Sequence, residues 1–423
     1  METNPERKPA RPALPELLAP AGNLEKLKTA AYYGADAVYL GGKNLSLRQK
    51  AGNFSLAEME AARDFLRPRG VKLYVTVNIF AHNNDFLGFD DYLRQLDSLG
   101  IDAVIVADPG IFTRIRHLLP KMPIHLSTQA NITNLDAAKF WFDLGIRRLN
   151  LARELSFAEI QAIRAGVAGQ LEVFAHGALC ISYSGRCLLS HYMTGRDANR
   201  GECAHPCRYR YALVEEKRPG QYFPVEEDER GGYIFNAKDL CLMPRLPLLV
   251  AAGVDALKIE GRTKSVYYAG SVTRVYRAAL DYLATLPTEA WAEPEHIALP
   301  EEFMAEIWRT GTRGASENFF AGHPGPEEML YDTTRAPQQY EPVALVRRAG
   351  QEPLIEAKNR LVIGDEIEYL PPGLSVIPAR VTALMNEAGD SLAVLNPSQT
   401  ARLRTQPLLS ETMEYGLFRR RLA

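Results

Sequence analysis

The segment Tyr33-Gly-Ala-Asp-Ala-Val-Tyr-Leu40 sets the pattern of the first two-thirds of the chain, and the same arrangement returns at residues 99–106, 144–151 and 252–259. In each copy a glycine follows a helical stretch, where it takes the left-handed conformation that closes a helix. A short, nearly continuous apolar run comes next, which is typical of a strand buried on both faces. Alternation of such strands with helices predicts a parallel sheet with right-handed crossovers.

Eight strands of this kind can be counted, and eight is the number that closes a (β/α)8 barrel of the TIM type. No Gly-x-Gly-x-x-Gly fingerprint follows the first strand, which argues against a doubly wound dinucleotide-binding sheet. The predicted fold class is therefore an α/β barrel, with strands at Glu16–Pro20, Ala37–Gly41, Lys72–Ile79, Ala103–Ala107, Ile124–Gln129, Arg148–Leu151, Leu171–His176 and Ala256–Glu260.

Changes in the sequence pattern divide the chain into four parts. Residues 1–15 form a charged tail, and residues 16–285 form the barrel, which a cysteine-rich insertion at about 179–239 interrupts after the seventh strand and a helix at Val266–Ala284 closes. Residues 286–339 are interpreted as a proline-rich linker with a short helix near Glu301–Arg309. Residues 340–423 predict a small antiparallel β-barrel domain, with strands at Pro342–Arg347, Leu361–Tyr369, Ser375–Ala383 and Ser391–Leu395.

The composition is that of an ordinary soluble globular protein, with 423 residues, 46% hydrophobic and 24% charged. A net charge of −2 implies no polyanion partner, so a nucleic-acid site would have to be a local basic patch. The N-terminus lacks the apolar core of a signal peptide, and the longest apolar stretch, Leu246–Ala252, is too short to span a bilayer. We therefore expect a cytoplasmic protein with reduced thiols and no membrane partner.

All five cysteines lie in the stretch from Cys180 to Cys241. Clustered thiols in a reducing compartment indicate a metal site or a catalytic site rather than disulfides. Thiolates suit zinc or an iron–sulfur cluster. The Cys203-x3-Cys207 pair fits zinc spacing, whereas ligands collected from separate loops at a barrel mouth fit a cluster. Spacing alone leaves both open, and a third interpretation is that the cysteines are small buried side chains, although the intervening residues are polar.

The motifs around these cysteines are similar to those of a known family. Residues 172–190 follow the signature Glu-x-Phe-x-x-Gly-Ser/Ala-aliphatic-Cys-x4-Gly-x-Cys-x-aliphatic-Ser of the collagenase-like "unclassified" peptidase family. The likeness covers most of residues 15–285 and includes Leu17-Leu-Ala-Pro-Ala-Gly22, Asn199-Arg-Gly-x-Cys203 and Lys258-Ile-Glu-Gly-Arg262-x-Lys264. Within the family, the motifs at 183–190, 217–222 and 261–268 look most like the tRNA-hydroxylation branch.

This resemblance implies an iron–sulfur enzyme that makes 5-hydroxyuridine at the tRNA wobble position without molecular oxygen, with a [4Fe–4S] cluster and with prephenate as co-substrate. The implied partner is tRNA, and no DNA partner is expected. Sister branches hydroxylate ubiquinone precursors or ribosomal RNA, which remain alternative substrates. The implied cluster ligands are four of Cys180, Cys187, Cys203, Cys207 and Cys241. Cys241 is the predicted spare, although in the ubiquinone branch its position replaces that of Cys207.

The family name raises proteolysis as a further alternative. The sequence contains no His-Glu-x-x-His metalloprotease motif and no Gly-x-Ser-x-Gly nucleophile elbow. Cys180 and His176 could form a nucleophile pair in the fold, but a thiolate that binds a cluster is not a free nucleophile. A binding module without chemistry is disfavoured by the polar residues at the strand ends.

Residues that follow barrel strands form the default catalytic set, because TIM-barrel active sites lie at the carboxyl ends of the strands. We predict that His176 relays a proton and that Glu260 is a general base or accepts from a substrate hydroxyl. The predicted catalytic set is His176, Glu260, Asn78 and Gln129.

Prephenate is a dicarboxylate, and its site needs fixed cations. The predicted substrate-binding residues are Arg48, Arg153, Lys238, Lys258 and Arg262. The alternative is that Arg153 and Arg262 form structural ion pairs with the neighbouring Glu154 and Glu260.

Arginines interleaved with tyrosines flank the Cys203–Cys207 pair, and this mixture suits phosphate contacts and stacking on an extruded base. The predicted RNA-binding residues are Arg200, Arg208, Tyr209 and Arg210. The tail Phe418-Arg-Arg-Arg421 and the small β domain are candidates for additional phosphate contacts.

Overall fold

Eight parallel strands close into a barrel in this chain. The structure is a computed structural model, and it describes residues 11–43, 53–180, 182–184, 186–198, 202–208, 212–214, 222–224, 236–311, 314–322, 324, 329–330, 338–409 and 411–422. Numbered in chain order over the whole molecule, the barrel strands are β1 (Glu16–Pro20), β2 (Ala37–Gly41), β3 (Lys72–Val77), β4 (Ala103–Val106), β5 (Ile124–Leu126), β6 (Arg148–Asn150), β7 (Gln170–Gly177) and β12 (Ala256–Ile259).

Each barrel strand pairs in parallel with the next, and β12 pairs with both β7 and β1, which closes the barrel. The predicted TIM-type fold is therefore confirmed. The predicted third and fifth strands extended too far, because the backbone leaves the sheet after β3 and β5. At the second of these places residues Thr128–Ala130 turn into a 3-10 helix. Because β3 and β5 end early, the polar residues that follow them lie at the barrel mouth.

Helices follow most of the barrel strands and pack on the outside of the barrel. Two of them begin with a capping box, in which Ser55 pairs with Glu58 and Ser156 pairs with Glu159. The helices are α1 (Leu24–Tyr32), α2 (Leu56–Leu66), α3 (Phe89–Leu99), α4 (Pro109–Leu118), α5 (Leu135–Asp143), α6 (Phe157–Gly166), α7 (Leu189–Thr194), α8 (Leu246–Ala251), α9 (Val266–Thr285) and α10 (Glu301–Trp308).

The sheet continues past β7 through short strands from two distant segments. Strand β11 (Asp239–Cys241) runs antiparallel to β7, and β13 (Ala315–Ser316) runs parallel to β11. Two further pairs are β8 (Ala212–Val214) with β9 (Tyr222–Pro224), and β10 (Asn236–Ala237) with β14 (Met329–Leu330). The interpretation of residues 286–339 as a linker with one short helix was therefore incomplete, because this segment also adds strands beside the insertion.

The C-terminal part of the chain is a second, closed antiparallel barrel with its own apolar core. Its strands are β15 (Tyr340–Arg348), β16 (Leu354–Ala357), β18 (Glu366–Leu370), β19 (Ile377–Met385), β21 (Thr400–Gln406) and β22 (Leu417–Arg421). The predicted β-barrel fold of this part is confirmed.

Details of the predicted C-terminal strands were wrong. The predicted strand at residues 361–369 is two strands, because Gly364 has a φ of +96° and turns the chain between them. Its first part, β17 (Leu361–Val362), pairs with β20 (Val394–Leu395) outside the closed barrel. Strands β16, β21 and β22 were missed, although β21 alternates strictly between exposed and buried residues and carried a detectable signal.

A buried ion cluster joins the two barrels. The Glu306 carboxylate on α10 accepts from Arg419 Nη1 and Nη2 on β22, at 2.9 and 3.0 Å. It also accepts from Arg274 Nη1 on α9, at 3.0 Å. Arg419 also pairs with Glu368 at 2.6 Å. Burial alone would raise the pKa of Glu306, but the Arg419 and Arg274 guanidiniums hold that pKa below its usual value.

The basic C-terminal tail has structural partners. Arg419 is fully buried in the ion cluster, and Arg420 pairs with Glu341 and Asp365 on the same β-barrel. These two arginines are therefore not available as phosphate contacts, contrary to the expectation for residues 418–421. Among the described residues, no helix combines the length and the apolar character needed to cross a bilayer.

Candidate active site

A cavity opens at the carboxyl ends of the barrel strands, with about 1020 Å³ of empty space when the open solvent at its mouth is included. This is the end at which TIM-barrel enzymes place their active sites. The described residues that line it are Tyr39, Thr76, Asn78, Ile105, Ser127, Thr128, Gln129, Asn150, Arg153, Phe174, Leu179, Cys180, Ser182, Tyr183, Ser184, Cys187, Ala198, Cys203, His205, Cys207, Lys258, Glu260 and Arg262.

Four of the five cysteines line this cavity. Cys180 and Cys187 follow β7 directly, and Cys203 and Cys207 come from further along the insertion. Within the part of the chain that the structure describes, no three His, Cys, Asp or Glu side chains stand close enough to hold one metal ion. Four thiols on one wall are nevertheless a donor set that suits iron and sulfide.

Cys241 is set apart from the other four cysteines. It lies on β11, is 2% exposed and does not line the cavity. Burial raises the pKa of its thiol to about 11, and its Sγ lies 3.9 Å from the Tyr276 hydroxyl. A buried thiol that resists ionisation is a poor metal ligand.

Two predicted catalytic residues meet on the cavity floor. Asn78 Nδ2 donates to Gln129 Oε1 at 2.7 Å, and Ser127 Oγ lies 3.3 Å from the same oxygen. Gln129 is 2% exposed, and its Nε2 has no hydrogen-bond partner among the described residues. Since a buried donor without a partner is unfavourable, this amide is arranged to donate to a ligand.

Three predicted substrate-binding cations line the cavity, but their surroundings differ. The Arg153 guanidinium stacks on the Phe174 ring, 4.0 Å from its centroid, and its Nη1 donates to the Ala178 carbonyl at 2.7 Å. The Arg262 Nη1 donates to Thr76 Oγ1 at 3.2 Å, and its Nη2 donates to Asn53 Oδ1 at 2.5 Å. These contacts orient both guanidiniums at the cavity wall.

Lys258 is a weaker candidate for holding a substrate anion. Its Nζ donates to Glu172 Oε1 at 2.9 Å, and both side chains are buried. Burial lowers the pKa of Lys258, although the Glu172 carboxylate opposes this shift. Glu172 also meets Arg148 at 3.5 Å, and Arg148 pairs with Glu16 at 2.7 Å. The Lys258 charge is therefore balanced by a carboxylate within the barrel.

Among the described residues that line the cavity, Glu260 is the only carboxylate. It follows β12, is 8% exposed, and its backbone N–H donates to the His176 carbonyl at 2.8 Å. Its own carbonyl accepts from the Tyr268 hydroxyl at 3.0 Å. The backbone of Glu260 is thus fixed from both sides, and the prediction that it serves as a base has a suitable position.

Gly177 lets the Glu260 backbone come close to β7. Gly177 has a φ of +121°, and a Cβ atom there would lie 2.5 Å from the Glu260 carbonyl oxygen. We expect Gly177→Ala to lower the free energy of unfolding by about 1–3 kcal/mol more than Gly70→Ala does, because of this overlap. Gly70 also has a positive φ but has nothing within 4 Å of its Cβ position. Urea unfolding measures the free energy of unfolding of both variants, and equal losses of this free energy would contradict the steric argument.

His176 lies behind the cavity rather than in it. The pairing of β7 with β12 skips Ala175, so that Phe174 faces Lys258 and His176 faces Ile259. A bulge of this kind reverses the side-chain alternation. Phe174 consequently lines the cavity, whereas the His176 ring packs against α9, with its centroid 5.5 Å from that of Tyr276. The prediction that His176 relays protons at the barrel mouth is not supported by this position.

His176 should instead make folding sensitive to acid. Burial lowers the pKa of His176 from its ordinary 6.5 to about 4. A histidine with a lowered pKa contributes stability above pH 6.5, and this stability is lost as the pH falls to about 4, because only the unfolded chain takes up the proton. The loss is about 3 kcal/mol at most. His176→Phe should remove this part of the pH dependence in denaturant titrations, and an unchanged slope would contradict the assignment.

The remaining predicted residues fall outside the cavity or outside the described residues. Lys238 does not line the cavity, and its aliphatic chain packs beside Gly314. The backbone of Arg208 belongs to a 3-10 helix at Pro206–Arg208. The predictions that lie outside the described residues are those for Arg48, Arg200, Tyr209 and Arg210.

Several lining residues were missed from the sequence. Tyr39, Thr76 and Phe174 lie within strands, and alternation alone does not tell which strand face looks into the mouth of the barrel. Asn150 is the last residue of β6, and the predicted strand ran one residue further. A polar residue at a strand end was a usable signal, since it had already pointed to Asn78 and Gln129.

Fold and cavity together define a (β/α)8 barrel protein with a thiol-lined ligand site at its mouth. Sequence comparison then identifies the family. The profile of peptidase family U32 matches residues 22–330, and that of the peptidase family U32 C-terminal domain matches residues 338–419. The chain therefore belongs to peptidase family U32, which confirms the resemblance noted in its motifs.

Similar proteins carry different functional names. The tRNA hydroxylation protein P1 of Bacillus subtilis is 38% identical over 394 residues, which are 92% of each chain. The 23S rRNA 5-hydroxycytidine C2501 synthase of Escherichia coli is 35% identical over 314 residues, 73% of this chain and 46% of that protein. A collagenase of Porphyromonas gingivalis is 30% identical over 388 residues, 88% of this chain and 90% of that protein.

Proposed function

We propose that this protein is an iron–sulfur enzyme that hydroxylates the wobble uridine of tRNA to 5-hydroxyuridine, with prephenate as co-substrate and without molecular oxygen. The observation that carries the proposal is the convergence of four cysteines, two arginines and a carboxylate on one cavity at the catalytic end of the barrel. The name of the Bacillus subtilis relative supports tRNA as the substrate.

The cysteines that would hold a [4Fe–4S] cluster are Cys180, Cys187, Cys203 and Cys207. When bound, such a cluster supplies electron transfer or a Lewis-acidic iron at the cavity wall. Four cysteines that line one cavity match in number the four thiolates that such a cluster takes, and a zinc ion bound by thiolates is the alternative.

Arg153 and Arg262 are the residues proposed to bind the two carboxylates of prephenate. Contacts to the Ala178 carbonyl, Thr76 and Asn53 help to orient the two guanidiniums. The Arg153 charge also acts on the neighbouring Glu154 carboxyl, whose pKa is raised by burial and lowered, to a smaller extent, by this charge. Guanidinium–carboxylate pairs are charge-assisted and often bidentate. Lys258 completes the positive wall, but its Glu172 partner leaves it less able to attract an anion.

Hydroxylation at C5 replaces the C5–H bond of the uracil with C5–OH, which is a two-electron oxidation. In the proposed reaction prephenate would give up its hydroxyl group to C5 and keep the electron pair, and the proton lost from C5 would balance that charge. A base must therefore take up the C5 proton. Glu260 is proposed for this role, because it is the carboxylate of the described cavity lining and its backbone is fixed by His176 and Tyr268. A side-chain carboxylate at hydrogen-bond distance is a competent general base.

The rim of the cavity offers apolar and aromatic surface for RNA. The Tyr192 side chain on α7 is 90% exposed, and Tyr183 and Leu188 are also exposed. Of these side chains Tyr183 lines the cavity, and the guanidinium of Arg186, the residue before Cys187, lies 4.8 Å from the Phe80 ring centroid. Aromatic side chains beside cations are the usual means of stacking on unpaired bases, and an anticodon loop presents such bases.

Ribosomal RNA is the second candidate substrate, supported by the name of the Escherichia coli relative. Proteolysis is less well supported, because the cavity does not contain the Cys180–His176 pair that a thiol peptidase would use. His176 is 1% exposed and faces α9.

The test is nucleoside analysis in a host that lacks its own wobble-uridine hydroxylase. Expression of this chain should restore 5-hydroxyuridine derivatives in tRNA, measured by liquid chromatography and mass spectrometry. A change confined to rRNA would select the second candidate. An unchanged nucleoside profile with full expression would overturn RNA hydroxylation.

Purified enzyme tests the prephenate site. Arg153→Met and Arg262→Met should each raise the prephenate concentration for half-maximal rate by at least about tenfold, because a charge-assisted hydrogen bond contributes roughly 1.5–3 kcal/mol. Arg404→Met, which removes an exposed arginine of the β domain, serves as the control. Unaltered prephenate dependence in both cavity variants would rule out this assignment.

A further inference from the structure

Asn150 places a buried side-chain amide at the cavity. It ends β6 at the cavity and is 2% exposed. Neither its Oδ1 nor its Nδ2 has a hydrogen-bond partner in the described part of the chain. Leaving both atoms of an amide unpaired in the interior is unfavourable. A buried amide of this kind in a cavity wall indicates that a bound ligand supplies the missing hydrogen-bond partners.

The neighbouring polar groups do not offer Asn150 the missing partners. Thr128 Oγ1 donates to the Leu151 carbonyl at 3.1 Å. Gln129 Oε1 is taken by Asn78, and Gln129 Nε2 is itself a buried donor without a partner among the described residues. The cavity floor therefore presents two donors, from Gln129 and Asn150, and one acceptor, from Asn150.

The acceptor atom, Asn150 Oδ1, restricts the ligand to one that also carries a hydrogen-bond donor. A carboxylate only accepts hydrogen bonds, so a dicarboxylate could use Asn150 Nδ2 but would leave Oδ1 unsatisfied. A ligand with an N–H next to a carbonyl satisfies both atoms at once. The uracil edge has this order, with N3–H between C2=O and C4=O, and the second carbonyl could accept from Gln129 Nε2.

We infer that Asn150 reads the base of the target nucleotide, with Oδ1 accepting from uracil N3–H and Nδ2 donating to the C4 carbonyl. This rests on the proposed hydroxylation of uridine. The contact fixes the ring in its own plane and leaves C5 free to react, and it assigns to β6 a residue that positions the base.

The substitution Asn150→Asp tests the inference, because it leaves two acceptors in place of a donor and an acceptor. Aspartate accepts from uracil N3–H but repels uracil O4, whereas cytosine that has taken up a proton at N3 presents two donors, N3–H and N4–H, to the two carboxylate oxygens. Asn150→Ala removes both contacts. One bidentate base contact changes discrimination by about 10- to 100-fold. We expect Asn150→Ala to lower uridine hydroxylation by such a factor, and Asn150→Asp to raise the ratio of cytidine to uridine products at least about tenfold.

The experiment uses the full chain with anticodon stem–loops that carry U34 or C34, mixed in one reaction, and mass spectrometry of both products. The ratio does not depend on how much of a variant folds. If a variant gives neither product, competition of the two stem–loops for a labelled one supplies the same ratio. Asn134→Asp is the control, because Asn134 caps α5 outside the cavity and aspartate caps equally well.

The outcomes distinguish failure of the Asn150 inference from failure of the proposed function. An increased ratio in Asn150→Asp, with the wild-type ratio retained in Asn134→Asp, supports the inference. An unchanged ratio in Asn150→Asp overturns it even if the wild-type chain hydroxylates uridine. A wild-type chain that makes no hydroxylated pyrimidine in either stem–loop overturns the proposed function itself.

Discussion

Serine substitution of a single cysteine on the cavity wall is expected to abolish both iron–sulfur loading and hydroxylation, and this applies to each of Cys180, Cys187, Cys203 and Cys207. The physical reason is that serine offers a hard, protonated hydroxyl where the cluster needs a soft thiolate. Anaerobic purification of the wild-type chain should give about four iron and about four sulfide per chain, with a broad absorption band near about 400 nm.

Cys241→Ser is the matched control for this series. Cys241 is close in sequence to the other cysteines but lies on β11, away from the cavity, with a pKa raised to about 11 by burial. We expect this variant to keep wild-type iron and sulfide content and wild-type activity. If Cys241→Ser lost the cluster and Cys207→Ser kept it, Cys241 would be the fourth ligand and Cys207 the spare cysteine. About one zinc per chain without sulfide would overturn the cluster proposal altogether.

Removal of Glu306 is expected to cause the largest loss of stability. Its carboxylate accepts from Arg274 and Arg419, which are both 0% exposed. Glu306→Ala would leave two buried guanidiniums without this counter-charge, and breaking a buried ion pair by removing one partner costs about 3–5 kcal/mol. The contact also joins α9 and α10 to β22, so we expect the docking of the two barrels to weaken.

Glu352→Ala is the control for Glu306→Ala. Glu352 pairs with Arg404 at 2.7 Å, but both side chains are substantially exposed, and exposed pairs contribute about 1 kcal/mol or less. Denaturant unfolding of both variants, read by circular dichroism, measures the difference. Losses of similar size in the two variants would mean that burial does not strengthen the Glu306 cluster as argued.

Much of the fold followed from local pattern. Short apolar runs, four of them introduced by the repeated glycine unit, predicted all eight barrel strands because each strand is buried on both faces and is therefore largely apolar. The C-terminal barrel was predicted as a class but not strand by strand. Residues 361–369 were predicted as one β-like run. The turn at Gly364 divides them into two strands with different partners, β20 on one side and β19 with β22 on the other.

The candidate site was predictable where residue type alone carries the chemistry. Arg153, Arg262, Glu260, Asn78 and Gln129 follow strands, and all of them line the cavity. His176 satisfied the same rule and lies elsewhere, because the bulge at Ala175 reverses the face that a side chain takes. A bulge depends on pairing between β7 and β12, which are far apart in the sequence.

The sequence by itself determined the barrel class and the family, and it predicted thiol chemistry at the barrel mouth, because these depend on periodicity and residue type along short stretches of chain. Only the tertiary structure decided which groups share the cavity. It separated Cys241 from the other four cysteines, placed Arg419 of the basic tail in a buried ion cluster, and left the Asn150 amide without a partner among the described residues. Each of these outcomes depends on which distant segments meet and on which side chains they exclude from water, and that information is not present in any local pattern.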